Sequence, residues 1–314
     1  MVSTKGKIER IISVILVLLL VFFCIPKNRK EQIVEDIIQE FNDVDGTLEM
    51  HVIDVGQADC ILIIQDDAVM LVDSGAMSTA DEVVEYLKSI GITKIDVLVA
   101  THQHHDHIGG MSKIINNFEI GVIYMPDLSK EKINTKSYNS FISAIERWSK
   151  KEQNNVLFTK DEYGDLREFE LRQANVRFIA PKGNKYKRKN NYSIVMKITF
   201  GKTSILLTAD AEKKSEMEMI SSGYNLKADV LKIGHHGSNS STTEQFLNAV
   251  DPTYAILSVG RDNDYGYPDR QVMKRLEKRK IPVYRTDEEG TIIMITDGEN
   301  IIFSQKPGDY KSGK

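Results

Sequence analysis

The stretch THQHHDHIGG, residues Thr101–Gly110, decides how this chain is read. It holds four of the seven histidines, in the pattern His102-x-His104-x-Asp106-His107. Imidazoles and a carboxylate are donors that suit Zn²⁺, and also Mn²⁺ or Fe. Burying so many imidazoles without ligation would leave polar nitrogens unpaired, which is costly. The β-branched, apolar run before them, IDVLVA, reads as a buried strand. A tight loop after such a strand can fan its side chains toward two neighbouring cations. A second stretch has the same form: ADVLKIGHH, Ala228–His236, also runs from an acidic residue through an apolar strand into histidines. Two strands delivering histidines at their ends would line one cleft from opposite halves.

Working outward, the chain from Leu48 alternates between β-rich runs and helical patterns. LEMHVIDVGQADCILII and AVMLVDSG read as paired strands closed by turn-forming residues. Ser78 is placed to cap a helix over DEVVEYLKSI, which Gly91 ends. The glycine pair Gly109–Gly110 opens a helix at MSKIINNF, GVIYMPD is a strand, and SYNSFISAIERWSKK is an amphipathic helix. In the second half, YSIVMKITF and KTSILLTAD form a hairpin joined at Gly201–Lys202. AEKKSEMEMISS, TEQFLNAV and DRQVMKRLEKRK are helices, and YAILSVG, TIIMITD and NIIFSQ are strands. Mixed strands with interspersed helices predict sheets covered by helices. No low-complexity linker divides 48–306, so this is read as one domain, followed by a polar tail over 307–314.

Composition narrows the classes. With 41 Lys+Arg against 45 Asp+Glu in 314 residues, the net charge of −4 excludes a strongly basic or acidic chain. Two cysteines exclude a disulfide scaffold and a cysteine zinc cluster. Residues 11–25, IISVILVLLLVFFCI, carry no charge; Lys5, Lys7 and Arg10 precede them and Lys27, Arg29 and Lys30 follow. The run is slightly shorter than the roughly 17–25 residues of a full span, but Arg10 and Lys27 can snorkel to the interfaces. Bulky Phe22, Phe23 and Ile25 stand where a signal-peptidase site needs small residues. The reading is therefore an uncleaved signal anchor over 1–26, a single pass through the cell membrane by residues 11–26, and an exported domain. A cleaved signal peptide and a secreted protein are the alternative. Residues 27–47 read as a linker, with a helical pattern in EQIVEDIIQEFNDV.

The histidine loop resembles the HxHxDH signature of the metallo-β-lactamase fold, and its surroundings are similar to the soluble hydrolase domain of ComEC-type DNA-uptake proteins. The stretches that carry the resemblance are DVGQAD (Asp54–Asp59), DSG (Asp73–Gly75), THQHHDHIGG, the Ala209–Asp210 step, GHHGS (Gly234–Ser238) and YGYP (Tyr265–Pro268). The resemblance implies an α/β fold, an αββα sandwich of two mixed β-sheets flanked by helices, with a metal site at one edge. It implies two divalent cations, Zn²⁺ first and Mn²⁺ as the alternative. His102 and His104 would bind one; Asp106, His107 and His235 would bind the other, with Asp210 bridging both. His236 is the alternative to His235, which is preferred because it follows the strand directly. Asp210 could instead cap the helix after it. Asn191 and Ser193 stand where many family members have a further histidine, and would support the site or act as alternative ligands. Asp73 would orient a ligand or a water, or cap the turn before Gly75. Tyr267 stands where the family usually has a histidine.

Such a cation pair lowers the pKa of water and polarises a scissile group, with Asp106, Asp210 and Asp73 as the catalytic carboxylates. Fold does not choose the substrate. The expectation is a phosphodiesterase or nuclease, with DNA as a candidate substrate. Lys232, Ser238, Asn239, Arg261, Asn263 and Tyr267 are donors on segments flanking the site, and KGNKYKRK (Lys182–Lys189) is a candidate phosphate-backbone patch. The alternatives are an envelope hydrolase of choline phosphodiesters or small esters, and a non-catalytic metal-binding or scaffold protein.

Overall fold

The computed structural model describes residues 46–152, 156–161 and 163–313. The expected anchor over 1–26, and all but the last two residues of the linker expected over 27–47, lie outside the described residues. Among the described residues, no helix is long and apolar enough to cross a membrane.

The first strands are β1 (Leu48–Val52), β2 (Ile61–Gln65), β3 (Ala68–Val72), β4 (Lys94–Val99), β5 (Glu119–Met125) and β6 (Val156–Phe158). They are followed by β7 (Glu168–Leu171), β8 (Ala174–Ala180), β9 (Val195–Phe200), β10 (Thr203–Leu207), β11 (Val230–Lys232), β12 (Tyr254–Leu257) and β13 (Val283–Arg285). The last two, β14 (Ile292–Thr296) and β15 (Ile301–Phe303), return to the first sheet. Among the described residues one sheet runs β15-β14-β1-β2-β3-β4-β5-β6 and the other β13-β12-β11-β10-β9-β8-β7. Both are mixed. β3, β4 and β5 are parallel in one, and β10 to β13 are parallel in the other.

Side-chain alternation explains the layers. Met50, Val52, Ile63, Met70, Val72 and Val99 point inward from the first sheet. They meet Phe178, Met196, Ile198, Ile205, Leu207 and Ile256 of the second. Their neighbours one residue along point outward. Leu62, Leu71 and Leu98 pack under α1 (Ala80–Ser89), α2 (His105–Ile108), α3 (Met111–Asn117) and α4 (Lys136–Glu152). Leu206, Leu231 and Leu257 pack under α5 (Lys213–Ser221), α6 (Glu244–Val250) and α7 (Arg270–Lys278). A strand buried on both faces reads as a continuous apolar run, which is how AVMLV and IDVLV appear in the sequence.

Three details differ from expectation. The first helix has Thr79, not Ser78, in its N-cap position, with no side-chain cap bond. The helix after Asp210 starts at Lys213 with Glu212 in the cap position, so Asp210 is not its cap. Residues 307–313 are not a free tail: Gly308 N donates to Val283 O, Arg285 reaches the carbonyls of Asp309 and Lys311, and Gly313 N donates to Pro268 O. Cys60 is a buried free thiol.

The β9–β10 hairpin forms as expected, β14 and β15 pair as a second hairpin, and the tips of the two touch. Gly201 sits at φ +56°, where a Cβ would lie 2.7 Å from Gly298 O. Lys202 N donates to that same carbonyl at 2.6 Å. The contact clasps the two sheets at one end. Gly201→Ala should therefore lower the unfolding free energy by about 1–2 kcal/mol from the left-handed backbone alone, and further through the overlap. Urea denaturation of the variant checks this; an unchanged midpoint would show that the clasp carries no stability.

Candidate metal centre

Parallel neighbours put strand ends together. Asp73 follows β3, the histidine loop follows β4, Asp210 follows β10, and His235 and His236 follow β11. In open α/β sheets, the carboxyl ends of parallel strands are where loops converge into a site. Here two such ends face each other across the sandwich. The glycine pair after the loop allows the approach: a Cβ on Gly109 would lie 2.4 Å from Met77 N, and one on Gly110 2.5 Å from Ser74 O.

At the centre is the carboxylate of Asp210, 1% exposed. Its Oδ1 lies 3.3 Å from His107 Nε2 and 3.7 Å from His236 Nε2. Its Oδ2 lies 3.5 Å from His235 Nε2 and 3.7 Å from His102 Nε2. Asp106 Oδ2 is 3.3 Å from His236 Nε2 and 3.7 Å from His107 Nε2. His104 Nδ1 is 3.1 Å from His102 Nε2. Three groups with metal-ligand geometry result: Asp106, His107, Asp210 and His236; His102, His104 and Asp210; and Asp59, Asp73 and His107. His105 is exposed and outside all three.

The tautomers are preset for ligation. His107 Nδ1 donates to Asp73 Oδ2 at 2.7 Å, which leaves the lone pair of neutral His107 on Nε2. His236 Nδ1 donates to the Ser258 carbonyl at 3.0 Å, with the same result. Thr101 Oγ1 donates to Asp73 Oδ2 at 2.6 Å and so accepts from His102 Nδ1 at 3.2 Å. One buried carboxylate, Asp73, thus orients two imidazoles. Its bonds go to Thr101 and His107 and it is 1% exposed. Orienting a ligand, one of the roles expected of it, is what these bonds do.

The residues fit divalent cations. His107 Nε2 and Asp210 Oδ1 are buried and face one another without a hydrogen-bonding partner of good geometry. Orphaned lone pairs from imidazole and carboxylate in one place are what a cation satisfies.

The backbone is held in unusual conformations around the same point. Asp73, Ala209, His235 and His236 all have φ between +44° and +59°. Non-glycine residues in this region cost of order 1–3 kcal/mol each and persist only where the surroundings over-determine them. His235 N donates to Ala209 O at 2.9 Å and Ser238 N to His235 O at 2.8 Å, which locks the double-histidine turn.

The family model described as "Metallo-beta-lactamase superfamily" matches residues 53–261. This chain belongs to the metallo-β-lactamase superfamily. It is 30% identical over 262 residues to ComE operon protein 3 of Bacillus subtilis, covering 78% of this chain and 32% of that one. It is 31% identical over 251 residues to Recombination protein 2 of Haemophilus influenzae, covering 78% and 28%. Both are ComEC-type competence proteins. The chain spans about a third of the length of these relatives. Among solved structures, the metallo-β-lactamase fold protein YhfI from Bacillus subtilis superposes with a TM-score of 0.52 at 13% identity, over 80% of this chain and all of the other. That likeness shows the fold.

Within this superfamily frame, several expected site residues find other places. His236, not His235, joins Asp106, His107 and Asp210; a left-handed turn at both residues swings the second ring inward. His235 approaches Asp210 Oδ2, and its Nδ1 meets Ser240 Oγ at 3.0 Å. Asn191 is not aimed at the site: its Oδ1 accepts from Glu212 N and Ser215 N at the start of α5. Ser193 Oγ accepts from Asp210 N at 3.2 Å and so positions the carboxylate. Lys232 cannot meet a substrate, because it is fully buried with Nζ 2.9 Å from Asp59 Oδ2. Asn263 braces its own loop, accepting from the backbone of Tyr265 and Tyr267. Asn239 is exposed and accepts from Arg275; exposed Arg261 donates to the Asp287 carbonyl. Ser238 is buried beside Ser240. Tyr267 packs edge-on to His235, ring centroids 5.8 Å apart.

Three residues were not singled out in the sequence. Asp59 lies behind His236, its Oδ1 3.4 Å from Nδ1. Asn190 places Nδ2 3.3 Å from His235 Nε2, and Glu212 is buried 3.9 Å from His235 Nδ1. Asp59 ends the quoted DVGQAD stretch, so its signal was visible. The other two carry no pattern of their own.

Two outcomes follow from this geometry. Burial opposes charge on His107 and His236, but the carboxylates of Asp210 and, respectively, Asp73 and Asp59 outweigh it and raise both pKa values. Each ring therefore holds a proton to higher pH than a free imidazole does, and a cation competes with that proton. Metal affinity should rise as pH rises toward those raised pKa values and fall below them. Calorimetric titration in buffers of different ionisation enthalpy should show net proton release; none would contradict the arrangement. Separately, Lys232→Met takes from buried Asp59 the ammonium that meets its Oδ2, leaving only His236 beside it, and should cost about 3–5 kcal/mol. Thermal denaturation reads this, and a normal melting curve would mean the pair is not formed.

Proposed function

We propose that this chain is a metal-dependent phosphodiesterase, acting as a nuclease. The observation that carries the reading is the carboxylate of Asp210 shared between two ligand groups, His102–His104 and Asp106–His107–His236. Divalent cations held by these residues would lower the pKa of water and polarise phosphoryl oxygens. The chain's own groups then have defined tasks. Asp73 keeps His102 and His107 in the tautomers that present Nε2. Ser193 fixes Asp210 through its backbone N–H. Asp106 is the part-exposed carboxylate of the cluster, and nearby imidazoles hold its pKa well below the usual range. It stays ionised at neutral pH and orients an attacking water by accepting its hydrogen bond. Tyr267 forms part of the rim that meets the substrate.

The choice of phosphodiesters over amides or esters draws support from the relative named Recombination protein 2. Zn²⁺ suits the imidazole-rich donor set, with Mn²⁺ as the alternative. Export is part of the same proposal: the uncharged run 11–25 between basic flanks would tether the domain at the outer face of the cell membrane.

A substrate panel on the full-length chain tests the reading. After loading with Zn²⁺ or Mn²⁺, it should cleave single-stranded DNA and bis-p-nitrophenyl phosphate. His104→Ala should lose bound metal and nearly all turnover together. Turnover of an ester or lactone while both phosphodiesters stay intact would overturn the proposal. A chain that binds less than one metal and is indifferent to His104→Ala would instead be a scaffold.

A further inference from the structure

One exposed feature beside the metal centre has no role in holding cations. Tyr265 is 65% exposed. Its ring lies nearly parallel to that of Tyr267, with centroids 5.6 Å apart and an interplanar angle of 18°. Tyr267 in turn sits edge-on to His235, at 5.8 Å. The loop that carries the pair is braced from within. Asn263 Oδ1 accepts from Tyr265 N at 3.2 Å and Tyr267 N at 3.0 Å. Asn263 Nδ2 donates to the carbonyls of Gly260 and Tyr267 at 2.9 and 2.7 Å. A flat aromatic surface is thus held open to water at little conformational cost to any ligand that covers it.

A second set of contacts runs from the same histidine. His235 Nδ1 is 3.9 Å from Glu212 Oε1, and Arg188 places a guanidinium nitrogen 3.0 Å from that oxygen while most of its side chain stays exposed. Lys185 and Lys187 are exposed on the same loop. The loop is anchored between its cations at Tyr186 and after them at Lys189. Tyr186 is buried, donates to Glu218 Oε2 at 2.6 Å and packs edge-on to Tyr192; Lys189 pairs with Glu131. Arg188, Glu212, His235, Tyr267 and Tyr265 form one chain of neighbours across the mouth of the site.

We propose that Tyr265, backed by Tyr267, is a stacking platform for a base of a single-stranded polynucleotide, whose backbone follows the cationic loop Lys185–Arg188. This rests on the phosphodiesterase reading and names its substrate class. Every base offers a π-face to a flat aromatic ring, whatever the sequence. In a duplex those faces are already stacked, so the platform selects unpaired strands. Choline phosphodiesters and small aliphatic esters have no such face, and would leave the tyrosine pair idle. Cations and aromatic rings in one groove are the usual composition of sequence-tolerant single-strand binding.

The test is fluorescence anisotropy on the full-length chain, using phosphorothioate single strands of equal length, one with bases and one abasic. The wild type should bind the base-bearing strand about 10-fold more tightly or better. Tyr265→Ala should remove that preference while the abasic strand binds both proteins alike. Tyr265→Trp should restore the preference, which a merely structural tyrosine would not do. Arg188→Gln should weaken both strands together and flatten the salt dependence. Equal binding of the two strands by the wild type, or an undiminished preference in Tyr265→Ala, overturns the platform. Turnover of bis-p-nitrophenyl phosphate separates the two ideas. If it is cleaved but bases make no difference, only the platform falls. If it is not cleaved and the Tyr265-dependent preference persists, the hydrolase reading falls and the platform stands as a binding surface.

Discussion

A carboxylate shut away from water, Asp210, faces imidazole nitrogens of His102, His107, His235 and His236 at 3.3–3.7 Å. Burying such a charge is tolerated only with counter-charges at hand. Everything around it serves that requirement. The imidazoles hold its pKa well below the carboxylate range against the opposing pull of burial. Asp73 and Ser258 turn the rings so that their free nitrogens point inward. The cost is met where two sheets, each with parallel strands ending at the same edge, bring their loops face to face.

The fold and much of the site could be read from the residues, for identifiable reasons. Apolar runs between turn signals marked β3, β4, β10 and β11, because strands buried on both faces leave an unbroken hydrophobic trace. The His102–His107 spacing and the Ala228–His236 echo pointed to convergence at strand ends. What stayed hidden depends on backbone direction or on partners far along the chain. Choosing between His235 and His236 needs the left-handed turn at both residues, which nothing in GHHGS announces. Lys232 follows an apolar strand and looks like a donor, yet its partner Asp59 is 173 positions away. Asn191 sits where a ligand is usual in the family, but spends its side chain on the start of α5.

Among the described residues, ten non-glycine residues have positive φ, and four of them, Asp73, Ala209, His235 and His236, immediately precede or supply a group of the centre. Compact strands, the Gly109–Gly110 approach and the buried Lys232–Asp59 pair press on the same few residues from several sides. That is the condition under which costly φ values survive.

The donors are divided between the layers: His102, His104, Asp106 and His107 come from one, Asp210 and His236 from the other. A cation seated among them is a rivet through the sandwich. Loading would then add a cross-link between the layers at this edge, where the shared hydrophobic filling gives way to polar side chains.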